Sequence, residues 1–302
     1  MEFLYLLESL RIPWLTDFML AVTELGGETA FLALALIVFW CVDKRRGYYL
    51  MVVGFVGTVC NQFLKLFCRV PRPWVRDPNF NAVAEAVPEA TGYSFPSGHS
   101  QCSVGTFGSL AVTARKKWVK VICIILLILV PFSRMYLGVH TPADVLVGSA
   151  ISLGLVFALR PLVYREGGMM WIIPIMIVLA GAYLVYVSVY PFPADFDPHN
   201  LESGRKSAAT LFGCVTAVAV VYPAEKKWVN FPNEAIWWAQ ILKIAGGLIV
   251  VLAVKEGMKV PVELVLPVLP ARAVRYFLVV ITAGLLWPAT FRWFAKLGRK
   301  SQ

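Results

Sequence analysis

Nine stretches of this chain are apolar for long enough to compete for a place in a lipid bilayer, and that limits what it can fold into. They run roughly over 18–42, 47–67, 98–114, 118–133, 142–162, 169–190, 208–223, 234–254 and 274–291. A helix rises ~1.5 Å per residue and must cross ~30 Å of hydrocarbon, so about 20 mostly apolar residues make one span. Several stretches are shorter than that, notably 118–133 and 208–223. The first is interrupted by Gly26-Gly27-Glu28, which predicts a break or a tilt. Composition excludes one large soluble core. Of 302 residues 59% are hydrophobic and 15% charged, with mean hydropathy +0.70, where a soluble domain carries roughly 25% charged residues. The expected fold is all-α: a polytopic transmembrane helix bundle of about nine spans.

Two connections are long and polar. Residues 68–97 carry Pro71, Pro73, Pro78 and Pro88, and 191–207 open with Pro-Phe-Pro-Ala-Asp-Phe-Asp-Pro. Irregular backbone is not tolerated against lipid, so both are expected outside the membrane. The net charge of +10 fits lysines and arginines at helix ends better than nucleic-acid binding, since no basic run is interleaved with aromatics. One set of loops carries Lys44, Arg45, Arg46, Arg115, Lys116, Lys117, Lys120, Arg160, Arg165, Lys226, Lys227, Arg292, Lys296, Arg299 and Lys300. That side is expected in the cytoplasm, against which Lys255, Lys259, Arg272 and Arg275 count. The N-terminus has Glu2 and Glu8 where a signal peptide would be basic, and reads as a short amphipathic segment. The six cysteines form no C-x-x-C pair and read as small buried hydrophobes.

Charges within or at the edge of a membrane are expensive, so each is a functional candidate. Three clusters stand out. Lys65 and Arg72 lie seven residues apart at the end of the second stretch, nearly two helical turns, and would share a face if the helix ran that far. Such a pair suits a phosphoryl group; snorkelling at a span end is the plainer reading. Pro96-Ser97-Gly98-His99 stands where the third stretch begins. A helix N-terminus offers free N–H groups to an anion, though an ordinary serine cap explains the same residues. Ser133-Arg134 ends the fourth stretch, and His140 and Asp144 open the fifth, where Thr141 can cap and Pro142 can take the first helical position. A carboxylate on one ring nitrogen fixes the tautomer and leaves the other nitrogen as nucleophile or base; the plainer reading is a pair that steadies the helix start. Topology puts all these helix ends on one membrane face.

Lys-x6-Arg-Pro, Pro-Ser-Gly-His and Ser-Arg-x5-His-x3-Asp, in this order, resemble the three-part signature of the type 2 phosphatidic acid phosphatase superfamily. The match runs from Lys65 to Asp144 with no departure at a signature position. The resemblance implies that His140 attacks phosphorus to give a phosphohistidine and that Asp144 orients it. It implies that His99 protonates the leaving oxygen and then deprotonates the hydrolytic water. Lys65, Arg72, Ser97, the Gly98 amide and Arg134 would hold the phosphate oxygens. Three fixed cations can do the work of a metal here, so no metal and no cofactor are expected. The division this implies is an amphipathic N-terminal segment over 1–17, a phosphatase core over 18–165 built on stretches two to five, and further transmembrane helices over 166–302.

The expected partners are the bilayer and a phosphorylated lipid such as phosphatidate, a polyprenyl diphosphate or a sphingoid-base phosphate, with no nucleic acid. The alternatives are a soluble sugar phosphate, phosphotransfer to a second lipid, or, in a different class, a transporter. The site is expected on the non-cytoplasmic face of a multi-pass protein, in the plasma membrane of a bacterium or an endomembrane of a eukaryote. His199, with Asp195 and Asp197, reads as surface. Lys243, inside the eighth stretch, reads as snorkelling, with a polar contact in the bundle as the sharper alternative. Trp228, Trp237, Trp238 and Trp293 lie near span ends and fit an interfacial belt, and Trp74 could line the site mouth. The tail Arg299-Lys300-Ser301-Gln302 resembles a dibasic retention signal or a basic flank.

Overall fold

The structure, a computed structural model, describes residues 1–297, so the basic tail Arg299-Lys300-Ser301-Gln302 lies outside the described residues. Those described form helices and connections, with no strand. In chain order the helices are α1 (Glu2–Ser9), α2 (Pro13–Glu24), α3 (Glu28–Cys41), α4 (Lys44–Cys68), α5 (Pro73–Arg76), α6 (Gly98–Thr113) and α7 (Lys117–Tyr136). They continue with α8 (Pro142–Tyr164), α9 (Gly168–Val189), α10 (Pro198–Ala224), α11 (Trp237–Gly257), α12 (Lys259–Glu263), α13 (Val268–Ile281) and α14 (Phe291–Phe294).

By length and composition, 7 helical stretches among the described residues can cross a membrane, and 8 if α2 and α3, bent by 52° at their junction, count as one broken span. That bend falls at Gly26-Gly27, where a break was expected. The remaining apolar stretch, 98–114, forms α6, which is only 16 residues long. It buries Ser100, Gln101, Ser103, Thr106 and Ser109. Two of these buried hydroxyls turn back onto their own helix, Thr106 Oγ1 to the Cys102 carbonyl at 2.7 Å and Ser103 Oγ to the Ser100 carbonyl at 3.3 Å. Local back-bonding of this kind lets polar side chains sit inside a bundle. The short stretch 208–223 is part of α10, whose polar first turns lengthen the helix to 27 residues. Asp197 Oδ1 starts it by accepting from the His199 amide at 2.8 Å, and the His199 side chain is exposed as expected.

The chain divides into two compact units, one of residues 1–32, 49–161 and 191–204, the other of 33–48, 162–190 and 205 onward. In the first, the 68–97 connection is packed down rather than loose. Ala86 and Ala90 join Met19, Tyr136, Leu137 and Val139 in a buried apolar cluster edged by Trp74 and Phe132. α1 fastens the same connection: Tyr5 Oη donates to Asp77 Oδ2 at 2.9 Å and Asn81 Nδ2 donates to Glu8 Oε1 at 3.1 Å. In the second unit, Lys243 does not snorkel. It is fully buried, its Nζ donates to the Trp40 and Asn233 carbonyls at 3.0 Å each, and it lies 4.3 Å from the Phe291 ring centroid. Carbonyls and a ring face satisfy this ammonium without a carboxylate.

Candidate active site

α4 stops at Cys68, three residues before Pro71. Arg69 has φ +53°, and Arg72 lies in extended backbone at φ −65°, ψ 155°. Pro71 and Pro73 keep the helix from continuing, because the residues just before them, Val70 and Arg72, are pushed out of the helical region. Lys65 and Arg72 therefore do not share a helix face. They meet because the chain turns back, and both side chains are buried.

The segment before α6 receives them. Arg72 Nη2 donates to the Thr91 carbonyl at 2.7 Å and Nε to the Gly92 carbonyl at 3.1 Å, while Lys65 Nζ donates to the Tyr93 carbonyl. Gly92 sits at φ +69°, a left-handed conformation that glycine adopts without strain. Three consecutive carbonyls thus hold two cations. Ser97 then caps α6, its Oγ accepting from the Ser100 amide at 3.3 Å. The first amides of a helix have no partner within it, so those of Gly98 and His99 are available to an anion.

Arg134, in the last turn of α7, has no measurable exposure. Nη1 donates to Thr23 Oγ1 at 2.8 Å, while Nε and Nη2 are buried and have no hydrogen-bond partner among the described residues. His140 precedes α8. Thr141 and Asp144 form a reciprocal cap there: the Thr141 amide donates to Asp144 Oδ2 at 2.7 Å and the Asp144 amide to Thr141 Oγ1 at 3.4 Å. Asp144 Oδ2 lies 3.6 Å from His140 Nδ1, just beyond hydrogen-bond range. On the other side of the ring, Arg72 Nη1 is 2.9 Å from His140 Nε2 and also donates to the Val139 carbonyl at 3.0 Å. Guanidinium cannot accept, so Nε2 presents its lone pair and Nδ1 carries the hydrogen. Burial first, then the charges of Arg72, Lys65, Arg134 and His99, push His140 well below its ordinary 6.5 and keep the ring neutral at pH 7.

His99 is less deeply buried than His140, with its side chain 15% exposed and Nε2 3.7 Å from Glu89 Oε2 at the rim. α8 and the α6 cap are locked together, since the Ser97 amide donates to the Asp144 carbonyl at 2.9 Å. Gly148, one turn further along α8, permits this approach: a Cβ there would lie 2.7 Å from the Ser97 carbonyl oxygen. The eight residues assigned from the sequence to the phosphate site, Lys65, Arg72, Ser97, Gly98, His99, Arg134, His140 and Asp144, belong to the first unit. Among the described residues no group of three or more His, Cys, Asp or Glu is placed to hold a metal ion.

Sequence reasoning missed four contributors. Ser94, fully buried, donates from Oγ to Asp144 Oδ2 at 2.7 Å and lies 3.4 Å from His140 Nδ1. Thr23 orients Arg134. Asn61 Nδ2 donates to the Pro96 carbonyl at 3.3 Å, and Glu89 faces His99. Each acts through tertiary contact, and no spacing in the chain announces it.

A family model described as the PAP2 superfamily matches residues 45–167, and one described as PAP2 superfamily phosphatase, transmembrane extension, matches residues 206–300. Among curated relatives, phosphatidylglycerophosphatase B of Bacillus subtilis (strain 168) is 30% identical over 164 residues, covering 50% of this chain and 76% of the relative. The undecaprenyl-diphosphatase of Sulfolobus acidocaldarius is 30% identical over 149 residues, covering 49% and 70%. Glucose-6-phosphatase 3 of Bos taurus is 26% identical over 207 residues, covering 61% and 60%. No solved structure matches the chain.

Proposed function

We infer the reaction from the premise that the chain belongs to the PAP2 superfamily. It is a multi-pass integral membrane protein and a phosphoric ester hydrolase; the transporter alternative is set aside by this membership. The proposed substrate is a lipid phosphate or diphosphate, cleaved through a phosphohistidine on His140 without a metal, at a site on the non-cytoplasmic face. The relatives named for phosphatidylglycerophosphate and undecaprenyl diphosphate support the lipid.

One observation carries the chemical reading. The cluster buries three cations, Lys65, Arg72 and Arg134, against one buried carboxylate, Asp144. Unbalanced buried charge is costly, and a phosphoryl group offsets it. Arg72 Nη1 already points at the His140 lone pair, where phosphorus would arrive. In the first step the Nε2 lone pair attacks phosphorus and the bond to the leaving oxygen breaks. That oxygen takes a proton from His99, while Arg72, Arg134, Lys65, Ser97 and the Gly98 amide hold the other phosphoryl oxygens. In the second step His99 takes a proton from water, the water oxygen attacks phosphorus, and the N–P bond breaks to release phosphate and restore His140. Asp144 steadies the charge the ring acquires. Acid–base help of this kind contributes roughly 10²–10⁴-fold, with charge stabilisation and positioning supplying the rest.

The test is phosphate release by the detergent-solubilised chain with EDTA present, from a lipid monophosphate, a polyprenyl diphosphate and glucose 6-phosphate. The proposal expects release from a lipid substrate in preference to the sugar phosphate, and its loss in His140→Ala. A preference for glucose 6-phosphate overturns the lipid assignment; inhibition by EDTA overturns metal independence; full activity in His140→Ala overturns the mechanism.

A further inference from the structure

We propose that Ser94 is a positioning residue that relays the charge of Asp144 to His140, so that the nucleophile is held through a hydroxyl rather than by the carboxylate directly. The inference rests on the reading of His140 as nucleophile. Ser94 lies outside the three signature clusters and is buried within the fold.

The geometry of the ring points to the relay. Nδ1 must carry the ring hydrogen, because Nε2 receives Arg72 Nη1 at 2.9 Å and guanidinium only donates. That hydrogen needs an acceptor. Asp144 Oδ2 is 3.6 Å from Nδ1 and already receives two short bonds, from Ser94 Oγ and from the Thr141 amide, at 2.7 Å each. Ser94 Oγ is the nearer oxygen, at 3.4 Å. A hydroxyl has one donor and two acceptor lone pairs, so it can donate to Asp144 and accept from Nδ1 at once. The resulting chain is Nδ1–H to Oγ, then Oγ–H to the carboxylate.

Ser94 is also fixed in place. Its amide donates to the Val70 carbonyl at 2.8 Å, two residues before Arg72, and three residues later the Ser97 amide donates to the Asp144 carbonyl at 2.9 Å. Residues 94–97 therefore tie together the extended segment before Arg72, the cap of α6 and the start of α8. Its immediate predecessors, Thr91 to Tyr93, hold Arg72 and Lys65 by their carbonyls. The segment 91–97 thus acts as a template, and Ser94 is the member of it that reaches the nucleophile by a side chain.

The relay predicts where the effect appears. No proton leaves the ring or the serine in either step; Nδ1–H and Oγ–H both persist. What changes is the ring's charge, which rises as Nε2 bonds to phosphorus. Hydrogen bonds to a charged group are stronger than those to a neutral one, so the relay stabilises the transition state and intermediate more than the bound substrate. Ser94 lies on the Nδ1 side of the ring, away from the attacking nitrogen.

The test uses the full chain in detergent with phosphatidate in mixed micelles. One charge-assisted bond supports a loss of about 10–100-fold, so Ser94→Ala should lower kcat by that factor and change KM by less than about threefold. Ser94→Thr keeps the hydroxyl and should restore most of the rate. Asp144→Ala combined with Ser94→Ala should be no slower than Asp144→Ala alone, because the two act as a unit. Wild-type kcat in Ser94→Ala, a loss confined to KM, or full additivity with Asp144→Ala would each overturn the relay. Ser94→Cys, close in volume but a weak donor, carries the same comparison if the alanine variant melts early. His140→Ala separates the two layers. If it retains the wild-type rate, the nucleophile reading itself fails; if it is inactive while Ser94→Ala is normal, only the relay fails.

Discussion

Replacing Arg134 by methionine separates catalysis from stability at this site. The guanidinium is fully buried, and Nη1 donates to Thr23 Oγ1 at 2.8 Å. Nε and Nη2 have no hydrogen-bond partner among the described residues. In the proposed reaction both donate to phosphoryl oxygens. Each charge-assisted bond is worth roughly 1.5–3 kcal/mol, so the two together supply about 3–6 kcal/mol. At ~1.4 kcal/mol per decade, kcat/KM should fall by about 10²–10⁴ in Arg134→Met. Arg134→Lys keeps a charge but not the fork, and should fall by about 10–100-fold. Stability should move the other way or not at all. An apolar side chain of similar length in place of a poorly partnered buried charge is often neutral or stabilising by ~1–4 kcal/mol, less about 1 kcal/mol for the Thr23 bond. The assay is phosphate release and thermal melting of both variants in the same micelles. Arg134→Met retaining half the wild-type kcat/KM would refute the reasoning. So would a loss of activity matched by an equal loss of folded protein.

Two further outcomes follow from the same geometry. Gly148→Ala places a Cβ 2.7 Å from the Ser97 carbonyl oxygen, whereas at Gly154, on the same helix, a Cβ meets nothing within 4 Å. Gly148→Ala should therefore displace the α6 cap and cut kcat/KM by about 10-fold or more, with Gly154→Ala unchanged; equal rates for the two would contradict the role of that contact. His140 titrates well below its ordinary 6.5 in the fold, so below that value the unfolded chain binds a proton the folded chain refuses. Its contribution to stability is present above pH 6.5 and is lost as pH falls toward the folded value, by at most ~1.4 kcal/mol per pH unit. Melting temperatures across pH 7 to 4.5 should fall less steeply in His140→Asn than in wild type, and identical slopes would contradict the shift.

The helix ends that carry the site were legible because membrane spans leave few places for charge. Lys65, Arg72, Ser97, Arg134 and His140 stand out as costly or cap-forming residues at the ends of apolar runs, and alternation of nine spans implies one face for them. The manner of their meeting was not legible. The seven-residue spacing of Lys65 and Arg72 suggested one helix face, but proline pushes the chain out of the helix after Cys68, and tertiary contacts with the carbonyls of 91–93 orient both cations. Ser94 and Thr23 are common residues in unremarkable positions, and their roles arise only when distant segments close on each other. Lys243 shows the same limit: the sequence offers a lysine in an apolar run, and only the fold supplies the Trp40 and Asn233 carbonyls that satisfy it.

The central claim is that His140 carries the phosphoryl group, and trapping that intermediate tests it most directly. The solubilised chain is mixed with phosphatidate radiolabelled in its phosphate, quenched in base, where an N–P bond survives, and mapped by peptide. The account predicts label on the peptide containing His140, released by acid and absent from His140→Ala. Label on another residue, or turnover by His140→Ala at the wild-type rate, would contradict it.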